Sequence, residues 1–543
     1  MLAFRLRTST ILRAALAAGI GLAAAPAAHA ATILGPEPTP GVTRPAILVG
    51  NNWDGTTDIV DPETYERLDR VNVVPDKSER LAEIMFDPVK QGFFIGVREL
   101  IGEGNDQFND DVFSSNDGRT IYVSRPSFAD VVAIDLASKN IVWRAPVDGY
   151  RSDHMAINAQ GTRLLVSAST GNIVHELDTA TGARVGGFPS GDSPHENTYS
   201  KDGSKVYHAS IGRVYLPTDR PSVIDSASKG GQYFQVVDAK TNEILKRIDM
   251  GEKLAEAGYP GLSSAVRPMT LSPDEKYVYF QVSFFHGFIE YDLTTDKVTR
   301  VARLPISEEA AKLMPEQYLL DSAHHGIALD KKGEKLCVAG TMSDYGAIVD
   351  RETFAARILD VGKKPYWSTN SADGESCYVS ASQNDWVSVI DYKTEKIVHR
   401  IPVGRHPQRV RNGVVRVADY PQGKYGEAFD LEMFTSRQPV SFRGGDENFG
   451  CRAAKAQKLR LASCRVDLRA RVRGAKKVST IARGTRTVSG RRSFKVDVNL
   501  TRTGKALLKR RPGGVRVTAR LRGVDSIGRV RTVSKRITIR TRR

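Results

Sequence analysis

The sequence predicts an all-β chain: a seven-bladed β-propeller followed by a small basic β-sandwich. Three observations predict it. Segments of one pattern recur at a basic period of about 40 residues, the length of a four-stranded blade. Those segments alternate β-branched and aromatic residues with polar ones and carry no helix-period stripe. The charge of the chain also changes sign near residue 450.

The elements follow in chain order. Arg5, Arg7 and Arg13 precede an apolar, Ala-rich run that ends in Ala28-His29-Ala30. That order of charge, apolar run and small residues predicts a signal peptide over 1–30, cut after Ala30. The first residues hold no Arg-Arg pair, which favours the general secretory route. No later stretch approaches the apolar length of a membrane span, so no transmembrane segment is expected. The expected location is therefore extracellular, on the cell surface, or periplasmic.

Residues 31–420 hold the repeat. "SSNDGRTIYVSRPSFADVVAIDLASKNIVWRAPV" reads as a turn and three strands, and five further segments keep this order. With the turn glycine or its equivalent as the marker, the series is Gly118, Gly161, Gly203, Glu275, Gly333, Gly374 and Gly413. Seven markers predict seven blades, with insertions in the two long intervals. "RVRNGVVRVADY" supplies only the start of a blade, and "PAILVGNNWDGTTDIVDPETYERLDRVNVV" supplies later strands. One blade built from both ends would close the ring and leave no open edge.

Units such as "DGRTIYVS", "VSVIDYKTEKIVHRIPVG" and "VVDAKTNEILKRIDMG" resemble the YVTN repeat family, including YncE-like seven-bladed propellers and related WD40/YVTN repeat-like folds. The resemblance covers residues 45–418. It implies the fold and frequent export, and it names no reaction. The chain departs from the plain repeat by its long insertions and its histidines.

In a blade, the strand before the marker turn lines the central channel. Counting back seven to nine residues from each marker gives Asp110 and Asp111, Asp153 and His154, His195 and Glu196, Arg267, His324 and His325, Tyr366 and Trp367, and Arg405 and His406. Radial closure would gather these groups at the channel mouth, under a rim made by the insertions. Two functions suit such a ring. The first is a binding propeller for a small polar or anionic ligand, a glycan or a peptide, with guanidinium groups gripping oxyanions and aromatic faces stacking. The alternative is a metal-dependent enzyme, a hydrolase or lactonase or an oxidoreductase. Its divalent transition metal would sit on His154, His195, His325 and His406, with Asp153 or Glu196 nearby. No HExxH, G-x-S-x-G, P-loop, dinucleotide or CxxCH motif points to another chemistry.

The text changes after the last repeat. Residues 421–450 read as a linker and 451–543 as a basic immunoglobulin-like β-sandwich, from a resemblance carried by "GVRVTARLRGVDSIGRVRTVSKRITI". Val515, Val517, Ala519 and Leu521 fall on one strand face, and Arg516, Arg520 and Arg522 on the other. Residues 451–543 carry 30 Lys and Arg against 3 Asp, or +27, which leaves −10 on residues 1–450 out of a total of +17. That excess predicts an anionic cell-envelope partner, and export argues against nucleic acid. Four cysteines remain: Cys451 and Cys464 suit a local bridge, while Cys337 and Cys377 suit either a bridge or two free buried thiols.

Overall fold

A computed structural model describes residues 35–214, 228–314 and 317–420, and of the tail 431–435, 439–443, 446–453, 461–472, 478–491, 493–525 and 530–541. The expected signal peptide, and 215–227 of the insertion inside the third repeat, lie outside the described residues.

Asp-Gly turns and alternating strands build seven antiparallel sheets of four strands. Blades 1 to 6 are formed by residues 111–146, 152–189, 194–248, 266–303, 327–359 and 365–402. Blade 7 is made from both ends of the repeat region. Its innermost strand Pro407–Arg416 pairs with Thr43–Asn51, which is followed outward by Thr56–Val60 and Arg67–Asn72. Each innermost strand lies beside the next, and Pro407–Arg416 lies beside Asp111–Ser114, so the ring is closed.

Two turns repeat around the ring for stated chemical reasons. After the third strand of every blade an aspartate accepts a hydrogen bond from a backbone N–H two or three residues on; these are Asp61, Asp135, Asp178, Asp238, Asp292, Asp350 and Asp391. Four residues after each, φ is positive, from 52° at Glu395 to 71° at Gly182. The second turn links the two innermost strands, and Gly118, Gly161, Gly203, Gly333 and Gly374 occupy its left-handed position. Gly413 does not. It pairs with Ala46 inside the long strand, and the chain turns only after Arg416. The seventh marker was therefore set too early along the chain.

The insertions meet across blade boundaries. Residues 73–110 contain helices Lys77–Met85 and Pro88–Gly96. Glu103 of this segment pairs with Lys364, and the buried Lys229 Nζ lies 2.5 Å from Asp321 of another insertion. The first helix is fastened to blade 1 by charge. Arg125 is fully buried, and its guanidinium bonds both oxygens of Asp130, both of Asp76 and the Val73 carbonyl.

Cys337 and Cys377 are bridged, which joins blades 5 and 6 within an apolar cluster with Val379 and Ile390. The bridge closes a loop with a sequence separation of 40. A Cys337→Ala, Cys377→Ala variant is expected to lose about 3 kcal/mol of stability. The check is a lower urea midpoint, with a slope equal to or steeper than that of the unaltered protein because the freed unfolded chain exposes more surface.

The tail is a second all-β unit. Its strands form one sheet in the order Leu431–Thr435, Asp446–Ala453, Ser493–Leu500, Ser479–Arg491, Leu461–Ala470, Val515–Asp525, Val530–Thr541 and Val440–Phe442. The sheet folds around one apolar core that includes Phe449, Val466, Leu468, Ile481, Val496 and Leu521. Helix Arg502–Arg510 packs Leu508 into it, with Thr501 capping its N-terminus. Cys451 and Cys464 are bridged between two of these strands, as their spacing suggested. The stretch 421–450, expected as a linker, contributes strands from Leu431 onward; Leu431, Val440, Phe442 and Phe449 are the apolar residues that draw it into the core.

Candidate metal centre in the propeller channel

The site is made by irregular strand pairing. In a regular strand, consecutive side chains point to opposite faces. The pairing of the innermost strand with its neighbour shifts register between Ser152 and Met155, between Pro194 and Asn197, and between Val266 and Met269. It shifts again between Pro365 and Trp367. Asp153 and His154, His195 and Glu196, Arg267, and Tyr366 occupy those shifts. Such bulges re-aim side chains, here so that adjacent residues reach one centre.

His154, His195 and His325 converge there, with one ring nitrogen from each within 4.8 Å of the others. All three are buried, at 1%, 4% and 1% exposure. His154 Nδ1 lies 2.7 Å from Glu196 Oε2, and its Nε2, 3.6 Å from Asp153 Oδ1, is the nitrogen left for a metal. His325 Nδ1 donates to the Tyr366 carbonyl at 3.1 Å, so its Nε2 carries the lone pair. That Nε2 is 3.3 Å from His195 Nε2. Two imidazole nitrogens bound to a tetrahedral zinc would be about 3.3 Å apart, from the usual Zn–N length.

Neighbouring groups fix the rings. His325 stacks on Tyr366 at 4.2 Å between centroids, and Trp367 meets His154 edge-on at 5.8 Å. Arg409 lies 4.3 Å from the centre of the Trp367 ring. Arg151 pairs with Asp153, and Arg411 holds both oxygens of Asp111 at 2.9 and 2.8 Å. Burial and the nearby cations hold all three histidines well below their ordinary pKa, so they are neutral, the form that binds metals. Burial pushes Glu196 up to about 8 and Asp110 up to about 7. On the channel side, Glu196, Trp367 and Arg411 border a cavity of about 70 Å³ lined by later residues of the innermost strands.

Of the residues expected at the channel mouth, Asp110, Asp153, His154, His195, Glu196, His325, Tyr366 and Trp367 are brought together. All of them are buried rather than open to solvent. Arg267 is buried close by and donates to Ser283 Oγ at 3.0 Å and to the Leu320 carbonyl of an insertion. His324 points elsewhere, to the Tyr345 hydroxyl. Arg405 and His406 are corrections. Arg405 is exposed and lies over Trp53, and His406 stacks on Trp53 at 3.9 Å, outside the histidine cluster. The misplaced seventh marker caused both errors. The residue that reaches the centre is Arg409, and a proline register would have found it. Pro194, Pro365 and Pro407 each open an innermost strand, and Glu196, Trp367 and Arg409 each stand two residues later. Arg151 and Arg411 were also missed, because each lies outside the counted positions.

No protein-family model and no curated protein matches the chain. Among solved structures it is similar to a hydrazine synthase of Kuenenia stuttgartiensis, at 16% identity over 62% of this chain and 89% of that one, with a TM-score of 0.43. It is also similar to the dihydro-heme d1 dehydrogenase NirN in complex with DHE, at 13% identity over 71% and 77%, TM-score 0.41. A third is a protein assigned as a 6-phosphogluconolactonase from Bacteroides uniformis, at 14% over 68% and 99%, TM-score 0.45. The site is therefore defined by this chain's own side chains.

Proposed function

We propose that this chain is an exported YVTN-type binding propeller that holds one first-row transition metal on His154, His195 and His325. The metal would present an open position to a small ligand in the channel. The observation that carries this reading is the approach of His195 Nε2 and His325 Nε2 to 3.3 Å, with the other nitrogen of His325 already donating to backbone. Three imidazoles suit zinc, copper, iron or nickel better than calcium. Binding is the reading taken because the geometry supplies metal ligands while Glu196 is engaged by His154 and Asp153 by Arg151; a hydrolytic reading would need Asp110, whose Oδ2 makes no hydrogen bond among the described residues, as its base. Elemental analysis after dialysis of the metal-stripped protein against zinc or cobalt tests it. One tightly held equivalent supports the reading, and none ends it.

The tail, read as an immunoglobulin-like module, would attach the protein to an anionic envelope surface. Its pairing supports this. Outward-facing Arg465 stands opposite Arg522, Asp467 opposite Arg520, and Thr518 opposite Arg536, so several arginines share one face with a single carboxylate. Asp467 pairs with Arg465 and Arg483, and the arginines beyond what this one carboxylate can match favour a polyanionic partner. Retention of the full chain on anionic lipid vesicles is expected to fall steeply with added salt. An Arg465→Glu, Arg520→Glu, Arg522→Glu variant should be retained poorly even at low salt; retention equal to that of the unaltered chain counts against the reading.

A further inference from the structure

We propose that Arg409 forms, beside the metal, a receptor site for a small oxyanion, which metal and guanidinium hold together. The inference rests on the metal reading and adds the class of ligand. It starts from a contrast between two fully buried arginines. Arg125 spends its guanidinium on two carboxylates and a carbonyl. Arg409, buried just as deeply, leaves Nε and Nη1 with no hydrogen-bond partner among the described residues. Its nearest carboxylate oxygen, Asp110 Oδ2, is 3.7 Å from Nη2, beyond hydrogen-bond reach, and is itself without a hydrogen-bond partner. A buried guanidinium with unmade bonds is costly, so a chain that satisfies one such arginine and not the other has a use for the second.

The geometry shows what that use requires. Arg409 is packed over Trp367 and lies 5.6 Å from the centre of Tyr366. Those same rings touch the metal-ligand candidates, Tyr366 on His325 and Trp367 on His154. Trp367 Nε1 is a further buried donor with no hydrogen-bond partner among the described residues. Guanidinium N–H groups and an indole N–H together call for a ligand rich in acceptors. Asp110 would take a proton-bearing oxygen, either of the ligand or of a metal-bound water. Charge agrees. Arg151, Arg267, Arg409 and Arg411 are matched by Asp110, Asp111, Asp153 and Glu196 around the centre. The carboxylates do not outnumber the guanidinium groups, so a divalent metal would leave the centre positive and favour an anionic ligand. A cavity of about 70 Å³, bordered by Trp367 and Arg411, lies close by on the side of the later strand residues.

The test uses the full chain loaded with cobalt(II), whose visible spectrum reports its ligands. Acetate and inorganic phosphate, titrated separately, distinguish a carboxylate from a phosphate preference. Saturable spectral change with either is expected. An Arg409→Met variant should keep cobalt but bind the anion about 10- to 100-fold more weakly, with Arg409→Lys in between. No response of the unaltered protein to either anion overturns the proposal, as does equal anion affinity in Arg409→Met. The first of these needs no variant, so misfolding of a variant leaves the proposal open to refutation. If the chain binds no cobalt, the metal reading fails by itself. Calorimetric titration of the metal-free protein then decides: phosphate or acetate binding lost in Arg409→Met retains the oxyanion site, and absence of binding, or binding unchanged in Arg409→Met, ends it.

Discussion

An His195→Ala, His325→Ala variant is expected to bind no stoichiometric metal while keeping its fold. The two imidazoles bring a pair of nitrogens to 3.3 Å, and without them His154 keeps only Asp110 and Asp153 as neighbouring ligands, an oxygen-rich set that holds a late first-row metal less well than three imidazoles. His195 lies near the start of its innermost strand and His325 two residues before Ile327–Leu329, and neither strand pairing depends on these side chains, so the ring should close without them. Elemental analysis gives the stoichiometry and circular dichroism the fold. Thermal melting supplies an independent reading, because metal at about 100 times its dissociation constant stabilises the native state by about 2.7 kcal/mol. That rise in Tm should appear in the unaltered protein and vanish in the variant. Glu196→Gln gives the graded case. It weakens the orienting bond to His154 Nδ1 and should lower metal affinity about 10- to 100-fold. His406→Ala, which alters a ring stacked on Trp53 outside the cluster, should leave the stoichiometry unchanged.

The largest loss of stability is expected from Asp130→Ala. Asp130 is fully buried and is approached by three guanidinium groups: Arg125 at 2.7 Å, Arg80 at 3.4 Å and Arg144 at 3.7 Å. Removing the carboxylate leaves Arg125, itself fully buried, with Asp76 as its remaining carboxylate. Breaking a buried ion pair from one side costs about 3–5 kcal/mol. The loss should be read by urea unfolding, with Asp130→Asn closer to the unaltered protein because it keeps an acceptor. The helix Lys77–Met85 should lose order first, since Asp76 at its start is held by Arg125.

The ring was legible because its signals are local. Each Asp-Gly turn and each aspartate after a third strand makes hydrogen bonds within a few residues of itself, so a periodic sequence shows them directly. The histidine centre was legible only in part. His154, His195 and His325 were found by position in the repeat, but their approach depends on register shifts that a pattern of side-chain types does not encode. The seventh position failed for a related reason. Asn412-Gly413 looks like a turn, yet Gly413 is pinned inside a strand by pairing with Ala46, far away in sequence. The tail boundary failed because Leu431, Val440 and Phe442 are separated by polar residues, and only the assembled core shows them as one face.

The mixed seventh blade has a kinetic consequence. Thr43–Asn51 is made first and waits for Pro407–Arg416, with Ile47 finally opposite Asn412. Such distant pairing is slow to form. During synthesis, the chain holds all three candidate ligands before it holds the strand that brings Arg409 and seals the circle. An ion could therefore enter an unsealed arc of six sheets and be enclosed afterwards, and a truncation before residue 407 would leave that arc open.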